Sequence, residues 1–436
     1  MQLSINLYKY RFIALDTSCY NKFNFTNRII TCIIYSIVFL MLIKSPMPIV
    51  SDRAQEYTHY INIIANNGAF MFDGGLIQSS LLATWFPAKI QLLFNLSHTE
   101  IIFNLIPCLF YALMPAFIYL IARKYFNIGL SVLTAILPLS FFYFAYYSNL
   151  GRVSIAWGII AGLIWAITSK KLIWSIIFCV LLVLAHYGTA YIMVMVLVVS
   201  LIVFIIARLC KYQDKSKYLK FCSYLVVCIT TITLCWFAII APRAGVIING
   251  VIKESLTAAD TSKIEFVFPK GVPEEVRIKL EAEFNRNIEE GNTYKNLLAL
   301  SSRDSTLQSA FGLNFPYMNT PQRIEFIISW IVVGFISLGL LFAIKNKVLN
   351  DIHLVIGSTL YLAILMTIII PEASIYYGVV RTYFTTLPAL APCFVIGTNI
   401  VSDRLKIYRY FLPAAIIIMY YLAVSGTLHS WFGIIK

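Results

Sequence analysis

The chain has 436 residues, of which 60% are hydrophobic and only 12% charged. About a quarter of the residues in soluble domains are charged, so this composition excludes an ordinary soluble protein and predicts an all-α polytopic membrane protein. The formal net charge is +14. The distribution of that charge, described below, makes a nucleic-acid partner unnecessary.

Eleven apolar segments are candidates for transmembrane helices, because a bilayer core of about 30 Å requires about 20 mainly apolar residues per helix. The first follows 29 mixed residues and is not followed by a small-residue cleavage site, so we predict a retained helix rather than a signal peptide. The segments lie near residues 30–49, 101–121, 127–147, 153–168, 172–186, 188–207, 221–241, 324–344, 352–370, 383–400 and 410–427.

Basic residues predict the orientation, since Lys and Arg in short loops are retained in the cytoplasm. A cytoplasmic N-terminus places 18 basic and four acidic residues inside, in segments 1–29, 122–126, 169–171, 208–220, 345–351 and 401–409. The whole net charge of +14 then lies on one face, where it would meet anionic lipid headgroups. We therefore predict a multi-pass protein of the cell membrane whose active face is extracytoplasmic.

Two long outer loops organise the chain. A cytoplasmic segment, 1–29, precedes an N-terminal transmembrane module, 30–241, which contains the first outer loop, 50–99. A second outer loop, 242–323, precedes the C-terminal transmembrane module, 324–436. Loops longer than about 15 residues are usually functional or disordered, so we expect the function to lie outside the membrane.

Short helices are predicted in both outer loops. Residues 76–94 mix apolar and polar side chains and read as interfacial helices, with Trp85 and Phe86 at headgroup depth. Residues 273–291 carry apolar side chains at four-residue steps and predict an amphipathic helix that begins at a proline and ends at a glycine.

Cysteine spacing indicates neither a disulfide nor a metal site. All nine cysteines fall in predicted helices or on the cytoplasmic side, and no CxxC or Cys/His pattern is present. We predict no metal ligands.

Ionisable side chains near the predicted spans collect at one depth, the outer membrane surface. Residues in the middle of a span would mark an ion or proton pathway, whereas an enzyme acting on a lipid-linked headgroup needs its polar groups at the surface. The residues in this layer are Lys44, Asp52, Glu56, His59, Asp73, Glu100, Arg152, His186, Arg323, Glu325 and Arg381.

The stretch SDRAQEYTHYINIIANNG, residues 51–68, contains the candidate catalytic acids. In a helix, Asp52 and Glu56 lie on one face with Tyr60 one turn further, and a carboxylate there can take a proton from an acceptor hydroxyl. The alternative is structural: Asp52 caps a helix that Glu56 decorates.

Arg152, Arg381 and His186 are the candidate phosphate-binding residues. The guanidinium fork suits a phosphate or pyrophosphate, but an arginine at a helix end can also be an interfacial residue that snorkels. His186, in VLAHYGTAY, can equally be a histidine that only satisfies hydrogen bonds.

The order of these features resembles the GT-C superfamily of polytopic, lipid-phosphosugar-dependent glycosyltransferases. SDRAQEYTHYINIIANNGAF, LVLAHYGTAYI and YGVVRTYFTTLPALAP are similar to motifs of an uncharacterised archaeal family of predicted membrane proteins. The resemblance covers roughly residues 30–207 and 323–400.

The resemblance implies roles for individual residues. Asp52 matches the first-loop acid that activates the acceptor, Glu56 matches the second acid of the narrower family, and Arg152 and Arg381 suit the lipid phosphate. His59, His186 and Tyr60 complete the predicted substrate-binding set. Metal-dependent members carry an acid pair in their second outer loop, whereas the corresponding turn here, SNLG, has no acid, so a divalent cation is left open and no cofactor is assigned.

The leading hypothesis from the sequence is a membrane glycosyltransferase that moves a sugar from a polyprenyl phosphate or pyrophosphate to a glycan, lipid or protein acceptor. An O-antigen-type polysaccharide polymerase or ligase is one alternative. A flippase or transporter of lipid-linked sugars is another, and it would require polar groups along a path through the bilayer.

Overall fold

The computed structural model describes residues 25–44, 52–69, 79–97, 99–140, 151–210, 216–239, 320–369 and 379–424, with positions 278 and 282 besides. These residues form helices and no strands, so the predicted all-α class is confirmed. Apart from positions 278 and 282, the predicted helix at 273–291 lies outside the described residues, as does nearly all of the second outer loop.

The helices follow one another with short connections, some of them a single residue. In chain order they are α1 Phe25–Lys44, α2 Asp52–Ala65, α3 Trp85–Leu93, α4 Thr99–Tyr111, α5 Leu113–Ala122, α6 Ile128–Ile136, α7 Arg152–Thr168, α8 Leu172–Ala185, α9 Tyr187–Leu209, α10 Ser216–Ile239, α11 Thr320–Asn346, α12 Asp351–Ile369, α13 Val379–Leu405 and α14 Phe411–Val424.

Six helical stretches of the described residues are long and apolar enough to cross a membrane, which indicates a membrane protein. Five shorter apolar helices fall on the other predicted segments. The count of eleven spans and their orientation stay predictions. Of the predicted interfacial segment 76–94, the structure shows α3, with Phe86 exposed.

At one end of the helix bundle, hydrogen bonds join residues in or next to the loops that connect the helices. Lys124 Nζ donates to Thr168 Oγ1 at 2.7 Å, Asn350 Nδ2 to Thr168 O at 3.2 Å, and Asn127 Nδ2 to the Tyr410 hydroxyl at 2.7 Å. Many basic residues lie in these loops and at the adjacent helix ends. We call this the basic end, and its basic residues are Arg123, Lys124, Lys170, Lys171, Lys345, Lys347, Arg404, Lys406 and Arg409.

Three helices stop at the basic end with a lysine in the left-handed region of backbone space. Lys170, Lys347 and Lys406 have φ values of 57°, 51° and 58°. In each case the following amide donates to the carbonyl five residues earlier (for example Ile407 N to Ser402 O at 2.9 Å). Glycine is the usual residue at this position of a Schellman turn, because a left-handed φ is less favourable for a residue with a side chain. A lysine here places a basic side chain beside the helix C-terminus, where positive charge is favoured.

The opposite end of the bundle contains the first turns of α7 and α13. The indole of Trp157 on α7 donates to Thr385 Oγ1 on α13 at 3.2 Å and packs on Phe384, with ring centres 4.8 Å apart. Arg152 and Arg381 each lie about one helical turn before this contact. The packing of two helices therefore brings residues that are distant in sequence to one depth.

Glycines allow α11 and α13 to pack closely. A Cβ added at Gly339 would lie 1.8 Å from the carbonyl oxygen of Cys393, and one at Gly397 would lie 2.0 Å from that of Phe335. Small residues that let backbones approach are typical of helix pairs in membranes. Their contact places α13, and so Arg381, against the rest of the bundle.

Candidate functional site

Glu56 lies buried at the N-terminus of α7. Its carboxylate accepts from Arg53 Nη1 at 3.0 Å and lies 3.6 Å from Arg152 Nε, and the backbone amide of Arg152 also donates to it. The first amides of a helix have no partner within the helix, and an anion is favoured there. Glu56 of α2 therefore serves as the cap that Gly151 has no side chain to provide.

Gly151 is required for this contact on two counts. Its φ is +42°, and a Cβ at this position would lie 1.9 Å from Glu56 Oε2 and 2.4 Å from Arg53 Nη1. A glycine is consequently the residue that lets α2 approach the start of α7.

Arg53 is held on its other side by α4. Its Nη2 donates to the carbonyl oxygen of Phe103 at 2.9 Å and to Asn104 Oδ1 at 3.1 Å, and its guanidinium lies 3.6 Å from the centre of the Phe103 ring. The side chain is 4% exposed. Arg53 thus ties α2, α4 and Glu56 into one rigid unit.

His186 is buried at the junction of α8 and α9, where it caps α9. Its Nδ1 accepts from the Thr189 amide at 3.2 Å and lies 2.6 Å from Thr189 Oγ1. The positive charges of Arg152 and Arg381 both act on this imidazole. We call Arg53, Glu56, Arg152, His186 and Arg381 the arginine cluster.

The arginine cluster holds more positive than negative charge. Its described side chains include three arginines and one carboxylate, and Arg53 and Arg152 both engage that carboxylate. Burial raises the pKa of Glu56 above its ordinary value, while Arg53 and Arg152 act in the opposite direction. Arg381 is only partly buried, so a cation at this end of the bundle can be reached by an anion.

No family model matches the chain, and no curated protein matches it.

The other site residues predicted from the sequence lie in different surroundings. Asp52 is the first residue of α2, and its side chain lies outside the described residues. His59 is buried. Tyr60 is fully buried, and its hydroxyl donates to Gln91 and to the carbonyl oxygen of Thr99, which indicates a packing role between α2, α3 and α4.

Two members of the site were missed by sequence reasoning. The sequence assigned no role to Arg53 and indicated only a turn at Gly151. The signal for Gly151 was its position directly before Arg152, at a helix start. Within the described ranges no three His, Cys, Asp or Glu side chains form a metal-binding group, and the sequence prediction about a divalent cation stays as it was.

Proposed function

We propose that the protein is a membrane glycosyltransferase that takes a sugar from a polyprenyl-phosphate or pyrophosphate donor and places it on a glycan, lipid or protein acceptor. The observation that supports this proposal best is the excess positive charge of the arginine cluster, held at one end of a bundle of apolar helices. A lipid phosphate suits this place, because its phosphate is an anion and its chain is apolar.

The reaction needs little beyond charge stabilisation of its leaving group. The bond between the sugar C1 and the phosphate oxygen breaks, and its electron pair leaves with the phosphate, whose charge Arg152 and Arg381 stabilise. The acceptor oxygen bonds to C1, and its proton passes to Asp52 as general base. Glu56 acts through Arg152, whose orientation it fixes.

The test uses purified protein and a panel of polyprenyl-phosphate sugars, with release of the lipid phosphate as the readout. Wild type should release it with at least one donor in the presence of acceptor, and Asp52→Asn and Arg381→Gln should each reduce the rate at least tenfold, a loss of about 1.4 kcal/mol in transition-state stabilisation. Arg323→Gln, an exposed arginine early in α11, is the matched control. No release with any donor would refute the proposal.

An O-antigen-type polymerase or ligase is the second candidate. It is favoured by one observation, that the buried carboxylate of Glu56 is engaged by Arg53 and Arg152, so that the described cluster offers positive charge for a phosphate but no unengaged base. Full activity of Asp52→Asn, with loss of activity on changes in the loop at 242–323, would favour this candidate.

A further inference from the structure

The basic end of the bundle contains a cavity of about 640 Å³ that is separate from the arginine cluster. Ser402 and Asp403 of α13, the turn that follows them, and Asn127 before α6 line it. Arg381 and Ser402 lie on the same helix 21 residues apart, roughly 30 Å along its axis. The cavity therefore belongs to the opposite end of the molecule.

Hydrogen-bond donors converge on this cavity. Asn127 Nδ2 donates to the Tyr410 hydroxyl at 2.7 Å, so the hydroxyl proton of Tyr410 is left to donate. Arg409 binds Asp403 through Nε at 2.9 Å and Nη2 at 3.4 Å, which neutralises that carboxylate and leaves Nη1. Lys406 adds an exposed ammonium at the rim.

Ser402 also lines the cavity. Its side chain is fully buried, so its hydroxyl is not available to a ligand in the cavity.

Exposed apolar side chains lie in the chain next to the residues that line the cavity. Leu405, Tyr408 and Phe411 are 61%, 73% and 63% exposed, and Ile128 is 40% exposed. Large apolar side chains beside cations at the end of a membrane helix suit the boundary between headgroups and acyl chains.

We propose that this cavity binds the phosphate of an anionic phospholipid headgroup. Lys406, Arg409 Nη1 and Tyr410 donate to the phosphate oxygens, and Leu405, Phe411 and Ile128 contact the acyl chains. The left-handed backbone at Lys406 keeps the ammonium at the rim, where a glycine would make an easier turn but carry no charge.

The experiment measures ligand-dependent thermal stabilisation of the detergent-purified full chain, because a ligand that binds the folded state raises the unfolding midpoint. The ligands are short-chain phosphatidylglycerol, short-chain phosphatidylcholine and inorganic phosphate. Wild type should be stabilised most by phosphatidylglycerol. Lys406→Gly should bind it about tenfold more weakly, since one charge-assisted hydrogen bond is lost.

Lys347→Gly is the matched control. Lys347 ends α11 in the same left-handed turn and at the same end of the bundle, but it does not line the cavity. Both glycine variants should fold at least as well as wild type, since glycine favours that backbone, and only Lys406→Gly should lose the preference for phosphatidylglycerol.

Three results would overturn the proposal. Equal losses in Lys406→Gly and Lys347→Gly would indicate diffuse charge attraction rather than a site. Equal stabilisation by phosphatidylglycerol and phosphatidylcholine would show that no anionic headgroup is selected. Stabilisation by inorganic phosphate that Lys406→Gly abolishes, without any further effect of the lipid, would assign the cavity to a free anion.

Discussion

Glu56 is the residue on which the arginine cluster depends most, because it pairs with Arg53 and Arg152 and caps α7. Glu56→Gln keeps the volume of the side chain and leaves two buried guanidinium groups without their counter-charge. Removing one partner of a buried ion pair typically costs about 3–5 kcal/mol. We expect a loss at the lower end of this range in the free energy of unfolding, because the amide still accepts a hydrogen bond.

Denaturant unfolding of the purified protein measures that loss, with Glu100→Gln as the control. Glu100 is an exposed acid in the first turn of α4, so its replacement should change the free energy of unfolding by less than about 1 kcal/mol. Equal effects of the two variants would contradict the role assigned to Glu56.

A substitution at Gly151 tests the same contact, because the Glu56 carboxylate lies against the backbone there. Gly151→Ala would place a Cβ 1.9 Å from Glu56 Oε2 at a φ of +42°, so the carboxylate has to move away from the start of α7. We expect a loss of roughly 1–3 kcal/mol, the usual cost of overpacking. Gly357→Ala is the control, since its Cβ would meet nothing closer than 3.9 Å, and a similar loss there would show a general intolerance of alanine.

The pKa of Lys124, at the basic end, leads us to expect that the stability of the protein depends on pH. Burial, aided by Lys171, lowers the pKa of Lys124 from 10.5 to about 7. Between these values the unfolded chain binds a proton that the folded chain does not, so stability rises as the pH rises from about 7 to 10.5 and is lowest below 7.

Lys124→Met removes this contribution. The unfolding midpoint of Lys124→Met relative to wild type should therefore be highest below pH 7 and should fall as the pH approaches 10. The lost hydrogen bonds to Thr168 Oγ1 and Trp165 O shift the difference by the same amount at every pH. A difference that does not vary with pH would contradict a neutral, buried Lys124.

At the scale of elements, the contact between α11 and α13 depends on glycine, because an added Cβ would clash with the backbone of the facing helix. Gly397→Ala places a Cβ 2.0 Å from the carbonyl oxygen of Phe335, whereas a Cβ at Gly334 of α11 meets nothing within 4 Å. We expect Gly397→Ala to lower the free energy of unfolding by about 1–3 kcal/mol. Gly334→Ala should be neutral or stabilising, because alanine is the better helix former by about 1 kcal/mol.

The positions of the apolar helices followed from the sequence, and their ends did not. The first span was predicted to begin at residue 30, whereas α1 is already helical from Phe25. Hydropathy marks the apolar stretch of a helix, but the end of a helix depends on backbone hydrogen bonds and caps. The lysines that end α7, α11 and α13 in place of glycine illustrate this, because no common stop signal marks them.

At the scale of the whole molecule, the meeting of Arg152 and Arg381 was expected from membrane depth alone. The structure adds the specific reason, which is the Trp157–Thr385 contact between α7 and α13. The pairing of Glu56 with Arg53 and Arg152 was not foreseen. Spacing along one helix suggested that Glu56 would work beside Asp52, but only tertiary packing could show that it faces the start of α7.

The two ends of the bundle give the molecule a division of roles under the proposals made above. In these proposals the arginine cluster is the site for the phosphate of a lipid-linked sugar, and the basic end is the site for anionic lipid. Both depend on phosphate recognition, but they use different residues, so each can be removed without the other.

The most direct test of the central claim is equilibrium binding of a short polyprenyl phosphate and of the matching polyprenol to the purified protein. Wild type and Arg323→Gln should bind the phosphate more tightly than the alcohol, by about tenfold or more, and Arg381→Gln should lose most of this preference. Equal binding of phosphate and alcohol by wild type, or an undiminished preference in Arg381→Gln, would contradict phosphate recognition by the arginine cluster.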